Sequence, residues 1–157
     1  MASFTLEEIE KATGASLLQK GEDAFVEGVS TDTRTISRGE LFIALIGENF
    51  NGHEFLKRAV LSGASAVMIS DASYGKDIDA HVSVFLVKDT KKGLEDLAHF
   101  HRMRFQVPVI GVTGSNGKTT TKDMITSILR TRFHVTATEK NFNNEIGLSM
   151  TLLSMTA

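Results

Sequence analysis

The chain contains no cysteine, and Pro108 is its only proline. Without cysteine it can form neither a disulfide framework nor a cysteine-based zinc site, and this composition fits a reducing compartment. Its longest apolar runs are far too short to span a bilayer. The first residues, MASFTLEEIEKATG, have no basic start and no apolar core, so they do not form a secretion signal. We therefore expect a cytoplasmic protein with no membrane partner.

Excess charge of either sign is also missing, because the formal net charge is −2 over 157 residues. So small a charge creates no field that would attract a polyanion, and we expect no nucleic-acid partner. The chain is 41% hydrophobic and 23% charged, which is ordinary for a globular protein and sufficient for one domain or two small ones. We expect a monomer.

The first half of the sequence alternates between helix and strand signals. The segment TLEEIEKATG predicts a short helix, in which Thr5 and Glu8 can form a capping box. The apolar runs at 41–47 and 65–70 predict buried strands, and the amphipathic segment 53–64 between them predicts a helix. Because a strand–helix–strand unit with short links is a crossover, the two strands are expected to be parallel.

The second half predicts two further strand–helix units. Strand 82–87 leads into a helix that starts near residue 90, and strand 109–113 leads through a glycine-rich loop into another helix. A strand at 134–138 and a helix that starts in the stretch NNEIGLSMTLLSM, residues 143–155, and runs to the chain end complete the pattern. The apolar side chains expected to face inward from the helix after the loop are Met124, Ile125, Ile128, Leu129 and Phe133.

This order of elements predicts an α/β fold class with two domains. An α/β unit without a phosphate loop occupies residues 1–82. A strand–loop–helix nucleotide unit, the beginning of a parallel-sheet ATPase domain, occupies residues 83–157.

The stretch GVTGSNGKTTTK, residues 111–122, nearly matches a phosphate-binding loop. The standard pattern has a glycine five positions before the glycine of the Gly-Lys-Ser/Thr triplet, where this chain has Val112. Gly114 and Gly117 still permit the backbone angles that point successive amides at phosphate oxygens. The following helix adds its positive amino-terminal end. The alternative is a plain glycine turn with a solvated Lys118.

Each residue type in this loop has a use in holding a nucleoside triphosphate. The Lys118 ammonium can reach the β- and γ-phosphates and is the candidate catalytic residue, and the Thr119 hydroxyl is the candidate Mg²⁺ ligand. The residues predicted to contact ATP are Thr113, Gly114, Ser115, Asn116, Gly117, Lys118, Thr119 and Thr120.

The stretch GVTGSNGKTTT resembles the ATP-binding signature of the Mur ligase family, the enzymes that add amino acids to the peptidoglycan precursor. That signature requires no glycine at Val112. The following TTTKDM and the block NFNNEIGLSMTLL at 141–153 are typical of the branch that adds D-alanyl-D-alanine, although Ser149 stands where the family usually has proline. The resemblance implies that Asn141 and Asn144 also lie near the phosphates.

Residues 28–70 resemble the family domain that holds the UDP end of the precursor. The hydroxyl residues there could bind the edge of a uracil, and Arg34 could pair with a diphosphate. Two alternatives to ligand binding stay open. Asp32 and Arg34 could form a local ion pair, and the role of His53 could be limited to capping the following helix. The substrate-binding residues that the resemblance implies are Ser30, Thr31, Thr33, Arg34, Asn49 and His53.

The resemblance implies an ATP- and Mg²⁺-dependent amide ligase whose partners are UDP-N-acetylmuramoyl-tripeptide and D-alanyl-D-alanine. In such an enzyme the substrate carboxylate attacks the γ-phosphate, and the resulting acyl phosphate reacts with the dipeptide amine. Family members have three domains, and this chain resembles only the front of one. The Mg²⁺-binding glutamate, a carbamylated lysine and the third domain are expected beyond Ala157, so we expect a fragment without ligase activity.

Other functions remain possible. One is the family ligase that adds the third peptide residue, and another is a module that binds a UDP-sugar or ATP without turnover. A different enzyme with a phosphate loop, such as a kinase or a folylpolyglutamate-type ligase, is disfavoured because it would have no use for the first half of the chain.

Overall fold

The computed structural model describes residues 2–139 and 144–156. Its strands are β1 Phe4–Thr5, β2 Ser16–Gln19, β3 Phe25–Val26, β4 Val29–Ser30, β5 Leu41–Ile43, β6 Ile46–Gly47, β7 Phe50–Asn51, β8 Ala66–Ile69 and β9 Ser83–Leu86. Its α-helices are α1 Leu6–Thr13, α2 Leu56–Leu61, α3 Thr90–Arg102, α4 Lys118–Leu129 and α5 Glu145–Leu153. Short 3₁₀ helices occupy Gly52–Phe55 and Ala72–Gly75.

The main sheet has the strand order β2-β9-β8-β5-β4. The strands β4, β5, β8 and β9 are parallel to one another, and β2 pairs with β9 in the antiparallel sense. The predicted parallel pair is confirmed, since Leu41 lies opposite Ala66 and Ile43 opposite Met68. Every residue of β5 and β8 is buried, as expected for parallel strands that are covered on both faces.

Alternating side chains of these strands enter two different cores, one on each face of the sheet. Leu41 and Met68 pack into a cluster with residues of α1, α3 and α5. Phe42 and Val67 point the other way, into a cluster with residues of α2. This alternation follows from the two-residue period of a strand, and it makes the unit a three-layer α/β structure.

The first helix forms as the sequence predicts. The Thr5 side chain accepts a hydrogen bond from the Glu8 amide while the Glu8 carboxylate accepts one from the Thr5 amide, which completes a capping box. Gly14, with a φ of 66°, ends the helix in the left-handed region that favours glycine. Leu6 and Ile9 are its buried residues.

The sheet continues beyond the predicted domain division at residue 82. Strand β9 lies between β2 and β8, so a cut at residue 82 would remove an interior strand from the sheet. Helix α3 belongs to the same unit, because Leu94 and Leu97 are both fully buried in the first core. The Thr90 hydroxyl also donates a buried hydrogen bond of 2.8 Å to the Ala44 carbonyl at the end of β5.

The region between α3 and α5 departs from the prediction. Residues 109–113 and 134–138 form no strand, and Val109 and Ile110 are 67% and 58% exposed. The two predicted strands are wrong for a physical reason, since a strand needs a neighbouring strand to take its backbone hydrogen bonds. No such neighbour occurs here in the described part of the chain.

Helix α4 begins at Lys118, as predicted, but its predicted inward face is not buried. Met124, Ile128 and Phe133 are 61%, 67% and 65% exposed. The apolar periodicity therefore predicted the helix and its apolar face correctly, but the described residues provide no surface against which that face could pack.

Helix α5, which the sequence also predicted, packs against α3. The Asn144 side chain caps it by accepting a 2.8 Å hydrogen bond from the Gly147 amide, and Leu153 enters the first core. Lys91 forms an ion pair with Glu145, which joins the first turns of the two helices. Across residues 2–139 and 144–156, none of the helices has the length and apolar character needed to cross a membrane.

Candidate functional site

The predicted phosphate loop lies immediately before α4. Gly114 has a φ of 143° and Gly117 a φ of 76°, so both use backbone conformations that other residues rarely adopt. Gly117 is the N-cap of α4, and no side chain caps the helix. The amino-terminal end of a 12-residue helix is therefore left open toward the loop.

The backbone amides of the loop are free to bind an external acceptor. None of the amides of residues 113–120 donates a hydrogen bond to another residue that the structure describes. The first internal bond of the helix runs from the Thr121 amide to the Gly117 carbonyl at 2.9 Å. Unpaired amides at an uncapped helix start are the donors that a phosphate group requires.

The Lys118 side chain folds back over this loop. Its ammonium donates a hydrogen bond to the Gly114 carbonyl and lies 3.5 Å from the Ser115 carbonyl. The cationic head is thus already held beside the open amides rather than pointing into solvent away from them. A lysine in this position places one positive charge where phosphate oxygens would bind.

The other loop side chains are exposed to solvent. Thr113, Ser115 and Asn116 lie on the loop, and Thr119 and Thr120 lie in the first turn of α4. Their hydroxyl and amide groups are accessible to a ligand. Within residues 2–139 and 144–156 there is no cluster of three or more His, Asp or Glu side chains that could hold a metal ion.

Of the two asparagines predicted to lie at the nucleotide site, the structure describes one. Asn141 lies outside the described residues. The Asn144 side chain serves as the N-cap of α5, where its oxygen accepts from Gly147. Its capping role explains why an asparagine suits this position without any ligand.

One contact that the sequence analysis missed fixes α4 to the chain that follows it. The Lys122 ammonium donates a 2.6 Å hydrogen bond to the Thr138 carbonyl and lies 3.0 Å from the Asp123 carboxylate. Lys122 follows the loop motif by one helical turn, but nothing in the sequence pairs it with a carbonyl 16 residues away.

A second candidate site is a cavity of about 230 Å³ at the carboxyl end of β4. Parallel sheets commonly bind ligands at this end of their strands. The Ser30 hydroxyl accepts from the Asp32 amide at 3.2 Å and lies 3.1 Å from the Asp32 carbonyl, which fixes the turn after the strand. The cavity is lined by Thr31, Asp32, Thr33, Arg34, Phe42, Phe50 and Phe55.

Arg34 and Asp32 form the local ion pair that the sequence analysis left open. The Arg34 Nη2 atom lies 2.6 Å from Asp32 Oδ2, and Arg34 Nε donates to both carboxylate oxygens at 3.0 Å. Hydrogen bonds from the Arg34 side chain and amide lower the pKa of Asp32 to about 2. Even so, the Arg34 side chain is 76% exposed, so part of its guanidinium still faces solvent.

The aromatic wall of the cavity was not among the predicted site residues. Phe50 and Phe55 stack with their ring centroids 5.2 Å apart and their planes 17° from parallel. Phe50 reaches this position because β6 and β7 form a hairpin, in which Gly47 pairs with Phe50. The sequence signal was the apolar Phe50 within an otherwise polar stretch.

The structure separates Asn49 and His53 from the cavity lining. Asn49 is exposed in the turn between β6 and β7. His53 is buried, and both ring nitrogens have protein partners, with Nδ1 2.8 Å from Asn51 Oδ1 and Nε2 3.0 Å from the Ser70 amide. The capping role considered for His53 is filled by Asn51, whose side chain accepts from the His53 amide.

Comparison with known families finds two matches along this chain. Residues 25–102 match a family described as "Mur ligase family, catalytic domain", and residues 112–157 match one described as "Mur ligase middle domain". A UDP-N-acetylmuramoyl-tripeptide--D-alanyl-D-alanine ligase from Bacillus subtilis (strain 168) is 47% identical over 134 residues, which is 85% of this chain and 29% of the relative. The chain therefore spans less than a third of the length of such curated relatives.

Solved structures show the same similarity. Crystal structure I of MurF from Acinetobacter baumannii superposes with a TM-score of 0.88 at 32% identity, covering 99% of this chain and 34% of that one. The MurF ligase of Thermotoga maritima in complex with ADP gives a TM-score of 0.71 at 32% identity, covering 80% of this chain and 28% of that one. The α/β class and the parallel sheet are therefore confirmed both by the fold described above and by these neighbours.

Proposed function

The chain belongs to the Mur ligase family, and from this membership we propose that, in a protein of its relatives' length, it supplies two sites of an ATP-dependent ligase. The ligase joins D-alanyl-D-alanine to UDP-N-acetylmuramoyl-tripeptide, the reaction for which the curated relatives are named. The phosphate loop binds ATP, and the cavity after β4 binds the UDP end of the precursor.

The observation that carries this proposal is the open phosphate loop. Three features occur together there. The amides of residues 113–120 donate to no residue that the structure describes, the start of α4 has no side-chain cap, and the Lys118 side chain folds back over the loop. These features support a triphosphate site, as does the ADP bound by the T. maritima neighbour. On binding, the Lys118 ammonium exchanges its carbonyl partners for phosphate oxygens.

The cavity after β4 suits a uridine diphosphate group. The stacked pair Phe50 and Phe55 offers an aromatic surface to a pyrimidine, and Thr31 and Thr33 offer hydroxyls to its edge. Arg34 is held by Asp32 at the cavity and presents its remaining N–H groups to a diphosphate.

In the reaction, the role of this chain is to position groups and to balance charge. Lys118 neutralises negative charge that develops as the carboxylate of the precursor attacks the γ-phosphate. The exposed Thr119 hydroxyl, next to Lys118 at the open helix start, fits a Mg²⁺ ligand. When bound, Mg²⁺ supplies further charge shielding at the phosphates. ADP leaves as the acyl phosphate forms, and the amine of the dipeptide then attacks the acyl carbon, which forms the amide and releases phosphate.

The packing of β9 and α3 changes where we place the domain division. Because both belong to the first sheet and core, we propose that the UDP-substrate domain extends through Arg102 and that the nucleotide-binding region follows it. Helix α5 then returns from the nucleotide-binding region to pack on α3.

Two measurements test the function. ATP with Mg²⁺ is expected to shift the amide resonances of residues 113–120, and UDP-N-acetylmuramoyl-tripeptide those of residues 28–55. Shifts confined to other residues would refute the placement of the sites.

A protein of the relatives' length is expected to release phosphate only with precursor and D-alanyl-D-alanine together, whereas the 157-residue chain releases none. Turnover with a UDP-N-acetylmuramoyl precursor that carries only two residues, and with lysine or diaminopimelate as the amine, would instead identify the ligase that adds the third residue.

A further inference from the structure

We propose that His53 is a positioning residue whose neutral ring holds the segment Phe50–Phe55 in the shape that binds the precursor, and whose protonation in mild acid releases that segment. The inference rests on the proposed function of the cavity. In this proposal a buried histidine controls the affinity for the precursor without contacting it.

The His53 ring joins three parts of the fold. Its Nδ1 lies 2.8 Å from Asn51 Oδ1 in the β6–β7 hairpin, and its Nε2 lies 3.0 Å from the amide of Ser70, which follows β8. The ring also packs against Tyr74, with centroids 4.9 Å apart. His53 is only 3% exposed, so water cannot readily replace these partners.

The hydrogen-bonding groups themselves fix the protonation state of the ring. A backbone amide such as that of Ser70 can only donate, so Nε2 must be the acceptor. Asn51 Oδ1 can only accept, and it already accepts from the His53 amide at 3.1 Å, so Nδ1 must carry the proton. The ring is therefore neutral, in the Nδ1–H form. A second proton on Nε2 would face the Ser70 N–H.

This network is directly connected to the cavity wall. Phe50 and Asn51 are the two residues of β7, and Phe55 lies two residues after His53 in the same 3₁₀ helix. Anchoring Asn51 and His53 to the end of β8 therefore fixes both stacked rings, Phe50 and Phe55, against the cavity. Loss of the Nε2 bond would loosen the aromatic surface on which the ligand rests.

Among the described residues, the Asp71 carboxylate acts on the His53 ring through its charge and the Tyr74 phenol packs against it. Burial lowers the pKa of His53, and the negative charge of Asp71 opposes that effect. Asp71 itself stays ionised in mild acid, because its hydrogen bonds with Ser73 lower its pKa. A proton that this network takes up in mild acid therefore goes to His53. The Ser70 hydroxyl lies 3.5 Å from Nε2 and could accept from a protonated ring.

The first test reads the ring itself. The ¹⁵N and ¹³C shifts of the His53 imidazole in the 157-residue chain are expected to show the Nδ1–H tautomer at pH 7.5, followed by protonation at a pH below the usual histidine value, because burial lowers the pKa of His53. An Nε2–H tautomer, or a ring already protonated at pH 7.5, would overturn the inference whatever the ligand does.

The second test reads affinity with UDP-N-acetylmuramoyl-tripeptide between pH 5 and 8. Its diphosphate is esterified at both ends and does not titrate in this range. The Kd is expected to rise as the pH falls through the His53 transition, with a limiting slope of about tenfold per pH unit for one coupled proton. His53→Gln, whose amide oxygen can accept from Ser70, should bind well and show no such slope, while His53→Phe should bind weakly at every pH.

His99→Gln is the matched control, because His99 is exposed on α3, and it should follow the parent chain. If the precursor binds and its Kd does not change across the pH range in which His53 is protonated, the positioning role is refuted and the proposed function stands. If the precursor fails to bind at any pH, both are refuted. If His53→Phe does not fold, the comparison of the parent chain with His53→Gln decides the matter.

Discussion

The guanidinium of Arg34 lies 2.6 Å from the carboxylate of Asp32, and both residues line the cavity that follows β4. The pair is exposed, so it contributes little to folding, but it fixes the direction of a cation at the cavity. Because the pKa of Asp32 is lowered to about 2, the pair remains charged at any pH above about 3.

Arg34→Ala is expected to weaken binding of UDP-N-acetylmuramoyl-tripeptide by about 10-fold to 100-fold, the usual scale for a lost hydrogen bond to a charged group. The loss should be the same from pH 5 to pH 8, since both members of the pair stay charged. Titration calorimetry gives the Kd. Lys92→Ala is the control, because it breaks an exposed ion pair with Asp96 elsewhere. Equal affinities for the two variants would contradict the role of Arg34.

Lys118→Ala is expected to remove most of the affinity for ATP with Mg²⁺ while leaving the urea midpoint unchanged, because the side chain is exposed and its hydrogen bonds to described residues are all with its own loop. In a protein of the relatives' length, kcat should fall by about 100-fold or more, as for other lost electrostatic contacts to a transition state. Lys57→Ala, on the exposed face of α2, is the control. Retained ATP binding by Lys118→Ala would exclude the loop as the nucleotide site.

Leu97→Ala is expected to destabilise the chain by about 2–5 kcal/mol, because Leu97 is fully buried in the first core. Leu148→Ala, at a position that is 52% exposed, should change stability by less than about 0.5 kcal/mol. Urea unfolding followed by circular dichroism measures both. A small effect at Leu97 would show that α3 is not part of the first domain, and would favour the division at residue 82.

Acid is expected to destabilise the chain already between pH 6.5 and 5. Burial lowers the pKa of both His53 and His101 from 6.5. The unfolded chain then binds more protons than the folded chain in this range, so stability is complete above pH 6.5 and falls as the pH drops toward the folded values. His101→Phe should reduce the slope of the urea midpoint against pH, because it removes one of the two buried histidine rings. A urea midpoint that rises as the pH falls would contradict the expected loss of stability in acid.

The local elements were predictable because their signals are local. Thr5 and Glu8 are three residues apart and cap α1 without help from the rest of the chain, and the glycines of the phosphate loop require no partner to adopt positive φ. The parallel pairing of β5 with β8 also followed, since a short strand–helix–strand link allows few alternatives.

What the sequence could not predict depends on distant partners. The apolar run at 109–113 indicates a buried strand only where other strands lie beside it, and Val109 is instead exposed. The aromatic wall of the cavity depends on the hairpin that brings Phe50 onto Phe55. The bond of His53 to Ser70 spans 17 residues, and no local pattern marks it.

The packing of α5 on α3 makes the intervening chain a long loop with both ends fixed to α3, one at its last residue and the other beside its first turn. Helix α3 ends at Arg102 and α5 begins at Glu145, whose carboxylate pairs with Lys91 at the start of α3. Closing a segment in this way removes much of the conformational freedom that its ends would otherwise have. The phosphate loop can therefore move only as far as the fastened segment reaches, and any larger displacement requires the two helices to separate.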